Sequence, residues 1–254
     1  MKKTPVLSID QFFKRGNQYY LAHLSVDCVI FGFHENELKV LLLEWKGSKH
    51  WCLPGGFILK DEHVDDAAIR ILKLRTSLDK IYLRQFYAFG DPGRGRKKPG
   101  VKPPAGLTQS WLMDRFITLG YWALVEFSKV VPTPDEFSLS CKWWDIKNIP
   151  KLTLDHNEIV SKALDSLRHH LKDYPIGKDL LPEKFTMPEL QHLYETILDK
   201  QIDRRNFQKK FLSLDILDRL KEVKHGGAHK APYLYRFNRR KYKAALEQGI
   251  RFGL

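Results

Sequence analysis

No stretch of this 254-residue chain stays apolar for the ~18 residues that a membrane-spanning helix needs, so none is expected. Cysteine is scarce. Cys28, Cys52 and Cys141 are odd in number and far apart, which excludes a disulfide framework and a cysteine metal knuckle. A reducing, cytoplasmic setting is the expectation. The opening Met1-Lys2-Lys3-Thr4-Pro5 is basic but leads into no long apolar segment, so a signal peptide is not expected. Internal repeats and low-complexity tracts are also missing. Negative charge is in deficit: 30 Asp and Glu face 43 Lys and Arg, a net +13.

What is present starts with a core. Hydrophobic residues make up 43% of the chain, which excludes wholesale disorder and suffices for two modest domains or one large one. The positive charge is unevenly spread. Residues 203–254 hold 14 Lys and Arg against 5 Asp and Glu. A second basic run, Arg94-Gly95-Arg96-Lys97-Lys98, lies in a Pro- and Gly-rich loop over 90–113. Such concentration points to a polyanionic partner.

Periodicity orders the first two-thirds as mixed strands and helices. Strands are expected over 25–33, 38–45, 80–89, 115–131 and 141–146, the first two joined as a hairpin through His34-Glu35-Asn36-Glu37. Residues 63–75 form an amphipathic helix with Val64, Ala67, Ala68, Ile71 and Leu72 inward. A second helix starts near Asp155, which with Glu158 resembles a capping box, and buries Ile159, Ala163, Leu167 and Leu171. Tyr174-Pro175-Ile176-Gly177 reads as a linker, giving domains over 1–174 and 175–254.

Beyond the linker the pattern changes. Thr186, Pro188 and Glu189 mark a helix start, with Leu190, Leu193, Tyr194 and Ile197 inward. After a break, Asp203 caps a second helix that buries Phe207 and Phe211. Arg204, Arg205, Asn206, Gln208 and Lys209 are left to project outward. Strands over 220–224 and 232–237 flank a basic turn, with Lys224, His229 and Lys230 on it. Helix, turn, basic helix and basic hairpin make a winged helix-turn-helix, whose second helix reads base edges and whose wing touches phosphate.

Residues 53–78 resemble a Nudix box. Gly56, Glu62, Arg70, Leu72 and Leu78 fall in its register, while Ile71, Leu74 and Arg75 stand where the box carries glutamates and Ser77 where it carries glycine. Over roughly residues 20–240 the order of fragments is similar to the Nudix-related transcriptional regulators of bacteria, which govern NAD metabolism and arabinose and other sugar use. The carriers include Asp27-Cys28-Val29-Ile30-Phe31-Gly32-Phe33, Leu53-Pro54-Gly55-Gly56-Phe57, Phe89-Gly90-Asp91-Pro92-Gly93-Arg94, Asp155-His156, Phe185-Thr186, Arg205-Asn206-Phe207 and Leu234-Tyr235-Arg236-Phe237.

The resemblance implies a Nudix-like α/β/α sandwich followed by a C-terminal winged helix-turn-helix domain. It implies a homodimer on a palindromic operator, responding to an ADP-ribose-like nucleotide or a pentose sugar. Magnesium takes hard oxygen ligands, which Leu74 and Arg75 lack. A sensor is therefore expected, with no catalytic residue, metal or cofactor. The alternative is a Nudix hydrolase of a nucleoside diphosphate derivative such as ADP-ribose, with Glu62, Asp65 and Asp66 as stand-in ligands. Gly56 and Glu62 would line the effector cleft. Arg70 and Arg75 would hold phosphate, unless Arg70 pairs with Asp66 at helical spacing. Arg94 and Arg96 are the alternatives, and a sugar would need none of these arginines.

Overall fold

The computed structural model describes residues 7–46, 50–78, 81–94, 110–134, 137–225 and 231–248. It divides into two compact units. The first comprises residues 1–30, 40–123 and 129–163, and the second residues 31–39, 124–128 and 164–254. No described helix is long and apolar enough to cross a membrane.

The first described element is a helix that periodicity does not announce, α1 (Ile9–Arg15), capped at its N-terminus by a capping box between Ser8 and Gln11. Strands β1 (Tyr20–His34) and β2 (Glu37–Trp45) form the expected hairpin. Its two-residue turn holds Glu35 at φ 51° and Asn36 at φ 62°. Two left-handed residues match the twist of the flanking strands. Two short strands follow, β3 (Trp51–Cys52) and β4 (Gly55–Leu59), and then helix α2 (Val64–Thr76). Strands β5 (Tyr82–Phe89), β6 (Ile117–Val125) and β7 (Ser138–Asp145) complete the sheet, and helix α3 (His156–Asp173) follows. The strand order is β3-β2-β1-β6-β5, with β4 paired to β1 and β7 to β2. The expected strand over 115–131 stops at Val125, because Phe127–Lys129 turn as a 3-10 helix ahead of Pro132 and Pro134.

Helix faces follow the sequence pattern. Ala67, Ala68, Ile71 and Leu72 of α2 are buried, with Val64 half-buried; Ile159, Ala163, Leu167 and Leu171 of α3 are buried as well. The capping box expected at Asp155 and Glu158 is not formed. Asp155 instead accepts a hydrogen bond from Arg94 Nε at 2.7 Å. An N-cap hydrogen bond is worth about 1 kcal/mol, less than a buried guanidinium loses without a partner.

In the second unit, β8 (Phe185–Thr186), α4 (Met187–Leu198), α5 (Arg204–Ser213), β9 (Leu217–Val223), β10 (Tyr233–Phe237) and α6 (Arg239–Glu247) follow in order. The three strands lie antiparallel in the order β8-β10-β9. Tyr194 of α4 packs edge-on against Phe207 and Phe211 of α5, with centroids 5.4 and 5.2 Å away. The tip at 226–230 lies outside the described residues.

The end of α2 carries a legible strain. Its C-cap, Ser77, sits at φ 58° and ψ 18°, donating its N–H to Lys73 O at 2.9 Å. A left-handed residue with a Cβ costs roughly 1–2 kcal/mol that glycine does not. Ser77→Gly should therefore raise the denaturant midpoint by the equivalent of about 1 kcal/mol, reduced by the extra entropy of unfolded glycine. A lower midpoint would show that the Ser77 hydroxyl does more than tolerate the turn.

Candidate effector site and nucleic-acid interface

The loop between β4 and α2 is closed by one ion pair. Arg70 donates through Nε to Glu62 Oε1 at 2.7 Å and through Nη2 to Glu62 Oε2 at 2.7 Å, and Nη2 also reaches Phe57 O at 2.8 Å. Glu62 Oε2 accepts the Leu59 N–H at 3.1 Å. Both side chains are nearly buried, at 9% and 7% exposure. A bidentate pair reinforced by a backbone acceptor is a geometry in which buried charge is tolerated. The glycines ahead of the loop are packed tightly. A Cβ on Gly55 would stand 2.3 Å from Asp27 Oδ1, and one on Gly56 3.0 Å from the Ile71 side chain.

Along α2 the three positions after Arg70 diverge. Ile71 is 3% exposed, Leu74 51% and Arg75 8%. None brings a carboxylate oxygen. Arg75 lies near Cys28, whose thiol burial pushes well above its ordinary range, against the opposing pull of that guanidinium. Asp65, on the first turn, accepts the Tyr121 hydroxyl at 2.6 Å.

Beneath the loop lies a second charged group. Arg94 donates to Asp155 Oδ2 at 2.7 Å, to Asp27 Oδ2 at 3.1 Å and to Phe116 O at 3.4 Å, using all three guanidinium nitrogens. His156 is buried beside it, its Nε2 3.8 Å from Asp27 Oδ2. The Leu53 N–H donates to His156 Nδ1 at 3.0 Å. That bond fixes Nδ1 as the acceptor and puts the ring proton on Nε2, facing Asp27. Burial holds the imidazole below its ordinary pKa, outweighing the attraction of Asp27 and Asp155.

The helix-turn-helix is organised from Glu195. Its Oε1 accepts from Gln191 Nε2 and from the Ile202 N–H, each at 3.0 Å, and Gln191 Nε2 also bonds Ile202 O at 2.9 Å. These contacts hold the turn that sets α5 against α4. Asp203 caps α5 through the Asn206 N–H at 2.8 Å. With Phe207 and Phe211 inward, Arg204, Arg205, Asn206 and Lys209 stand exposed and Gln208 half-buried. Arg219 of β9 lies over the Tyr233 ring at 3.6 Å, on the wing.

Family models match both parts of the chain: the NUDIX domain over residues 21–163 and the NrtR DNA-binding winged helix domain over 177–237. The first alone spans more than half of the sequence. The chain belongs to the Nudix family. It is 27% identical over 221 residues to the ADPR responsive transcriptional repressor NtrR of Acinetobacter baylyi, covering 84% of this chain and 81% of that protein. The crystal structure of Shewanella oneidensis NrtR complexed with a 27mer DNA is similar at a TM-score of 0.68 and 25% identity, over 87% of this chain and 95% of that one. A MutT/nudix family protein from Enterococcus faecalis shares the fold at a TM-score of 0.61 and 20% identity, over 92% of this chain and 100% of that one.

The structure redirects several residues that the sequence marks for effector or DNA binding. Arg70 is paired with Glu62, neither offered outward nor held by Asp66, because the loop returns the carboxylate to the guanidinium. Arg94 turns inward onto Asp27 and Asp155. Gly56 is set for close packing against Ile71. Lys224, expected on the wing against phosphate, reaches Glu189 Oε1 at 2.5 Å. Arg96, His229 and Lys230 lie outside the described residues. Sequence reasoning missed the grouping of Asp27, Arg94, Asp155 and His156, although all four lie in fragments that carry the family resemblance. Their scatter over 130 positions leaves no local spacing to read.

Two outcomes follow from this charge group. Arg94→Met strands Asp27 and Asp155 without their cation, and unfolding in denaturant should show a loss of about 3–5 kcal/mol; a loss under 1 kcal/mol would mean that water replaces the guanidinium. His156 has a folded pKa below its ordinary 6.5, so the unfolded chain takes up the proton first. Stability should then hold above pH 6.5 and fall as the pH drops beneath it. His156→Asn keeps an acceptor for Leu53 and should flatten this acid-side fall in melting temperature.

Proposed function

We propose that this chain is a DNA-binding transcriptional repressor that responds to an ADP-ribose-like nucleotide, and that its Nudix part senses without hydrolysing. Residues 1–174 hold the effector and 175–254 the DNA. The observation that carries this reading is the union, on one chain, of a Nudix helix with no side-chain oxygen at positions 71, 74 and 75 and a winged helix with Arg204, Arg205, Asn206 and Lys209 facing solvent. The likeness to a repressor named as ADPR responsive, and to NrtR complexed with DNA, supports it.

Magnesium asks for near-octahedral oxygen ligands. The donors here do not fit it. Glu62 is committed to Arg70, Asp65 accepts from Tyr121, and Arg75 places a cation where a ligand would sit. Binding without turnover is the chemistry left to the cleft. Arg75 is our candidate for the effector phosphate, since a guanidinium matches phosphate oxygens in pairs. On DNA, Arg205 and Asn206 enter the major groove at the start of α5, where side chains approach base edges. One winged helix buries too little DNA for tight operator binding, so the chain acts as a homodimer on a palindromic site.

Incubation with ADP-ribose and magnesium or manganese should give no turnover above background. Turnover that a chelator abolishes would move the chain to the hydrolase reading. In gel shifts on the DNA upstream of its own coding sequence, Arg205→Ala should cost ~1–3 kcal/mol and relax sequence preference. If Arg205→Ala combined with Lys209→Ala leaves affinity and preference intact, α5 is not the recognition helix.

A further inference from the structure

Helix α6 lies beyond the segment matched by the winged-helix family, which ends at residue 237. It opens Asn238-Arg239-Arg240-Lys241, and α5 opens Asp203-Arg204-Arg205-Asn206. In each an Asx side chain caps the first turn, at 3.1 Å from the Lys241 N–H and 2.8 Å from the Asn206 N–H. Two arginines follow at once. The first turn is the positive end of the helix dipole, where carboxylates are favoured and cations are not. The other described α-helices obey that preference: Asp10 in α1, Asp65 and Asp66 in α2, Glu158 in α3, Glu189 in α4. Neither α5 nor α6 has an acidic residue there.

Folding does not call for this placement. Arg239 and Arg240 are exposed and form no ion pair among the described residues. The other side of α6 fixes it. Tyr242 donates to Pro175 O at 2.8 Å and meets the Phe237 ring edge-on at 5.6 Å. Lys241 pairs with Asp215 at 2.8 Å, and the Asn238 N–H bonds Ile216 O at 2.9 Å. Asp215 and Ile216 form the turn that leaves α5. The start of α6 is therefore stitched to the end of α5 opposite Arg204 and Arg205. Lys243, exposed on the next turn, has only an exposed contact with Glu247 at 3.7 Å, too weak to occupy it.

We propose that α6 is a second nucleic-acid element, in which Arg239, Arg240 and Lys243 grip the phosphodiester backbone beside the groove that α5 enters. The proposal rests on the DNA-binding reading and extends its footprint past the matched winged helix. Duplex DNA is the partner because the same Asx-Arg-Arg opening recurs on the helix that faces the groove, within a segment carrying 14 Lys and Arg against 5 Asp and Glu. Contacts to phosphate position a protein and carry no sequence information.

The test uses the full chain, the upstream DNA and a random-sequence duplex of about three helical turns. Binding is followed from about 50 to 200 mM salt. Arg239→Ala with Arg240→Ala should flatten the slope of log affinity against log salt by about two for each bound protomer, about four for the dimer, and weaken both duplexes alike. Its melting temperature should hold or rise, since a repulsive charge leaves the helix end. If the variant melts lower, Arg239→Lys with Arg240→Lys decides: a restored slope upholds the proposal, and an unrestored one overturns it. An unchanged slope and affinity, or a loss confined to one sequence, also overturns it. Wild-type protein that binds neither duplex overturns the functional reading and this inference together. Wild-type binding that Arg205→Ala weakens and the double variant does not overturns α6 alone.

Discussion

A guanidinium taken out of water must have its donors answered, and the Arg94 group is where the Nudix unit meets that demand. Its three nitrogens reach Asp155 at the threshold of α3, Asp27 on β1 and the Phe116 carbonyl ahead of β6. Segments far apart in the chain are thereby tied to one point. The box hangs from the same point. Asp27 presses against Gly55, and His156 takes the Leu53 N–H, so the turn into the box is set by groups that belong to the charge cluster. Breaking one partner of such a cluster costs far more than a surface pair, because the charge left behind stays buried.

This arrangement accounts for what the sequence could and could not tell. The inward faces of α2, α3, α4 and α5 were legible because burial follows a period of 3.6 residues, and the Thr186–Glu189 box was legible because a cap acts over three residues. Local rules fail where a residue has a better distant partner. Asp155 looks like a cap and serves Arg94; Arg70 looks free to hold phosphate and serves Glu62. Helices α1 and α6 were missed for another reason. Neither has a sustained apolar stripe: α1 is held through Phe12, packed on Phe57 and Trp111, and α6 largely through Tyr242. A single aromatic anchor leaves no period to detect.

The two charged sites also separate what a Nudix box does. One half of the motif shapes the loop, and the other supplies oxygen to a metal. Gly56, Glu62 and Arg70 belong to the first half, and the two charged residues are bonded within the loop here: Glu62 accepts from Arg70 and Leu59, and Arg70 also donates to Phe57 O. Nothing in that set needs a carboxylate at 71, 74 or 75. Ile71 fills the space under Gly56, and Leu74 reaches solvent, so the changes at these positions leave the loop's own bonds untouched. Shape and chemistry are thus physically separable within one short motif. A loop held by the Glu62–Arg70 pair can keep its form whatever stands at positions 71, 74 and 75, which is the condition that the sensing role proposed for this chain has to meet.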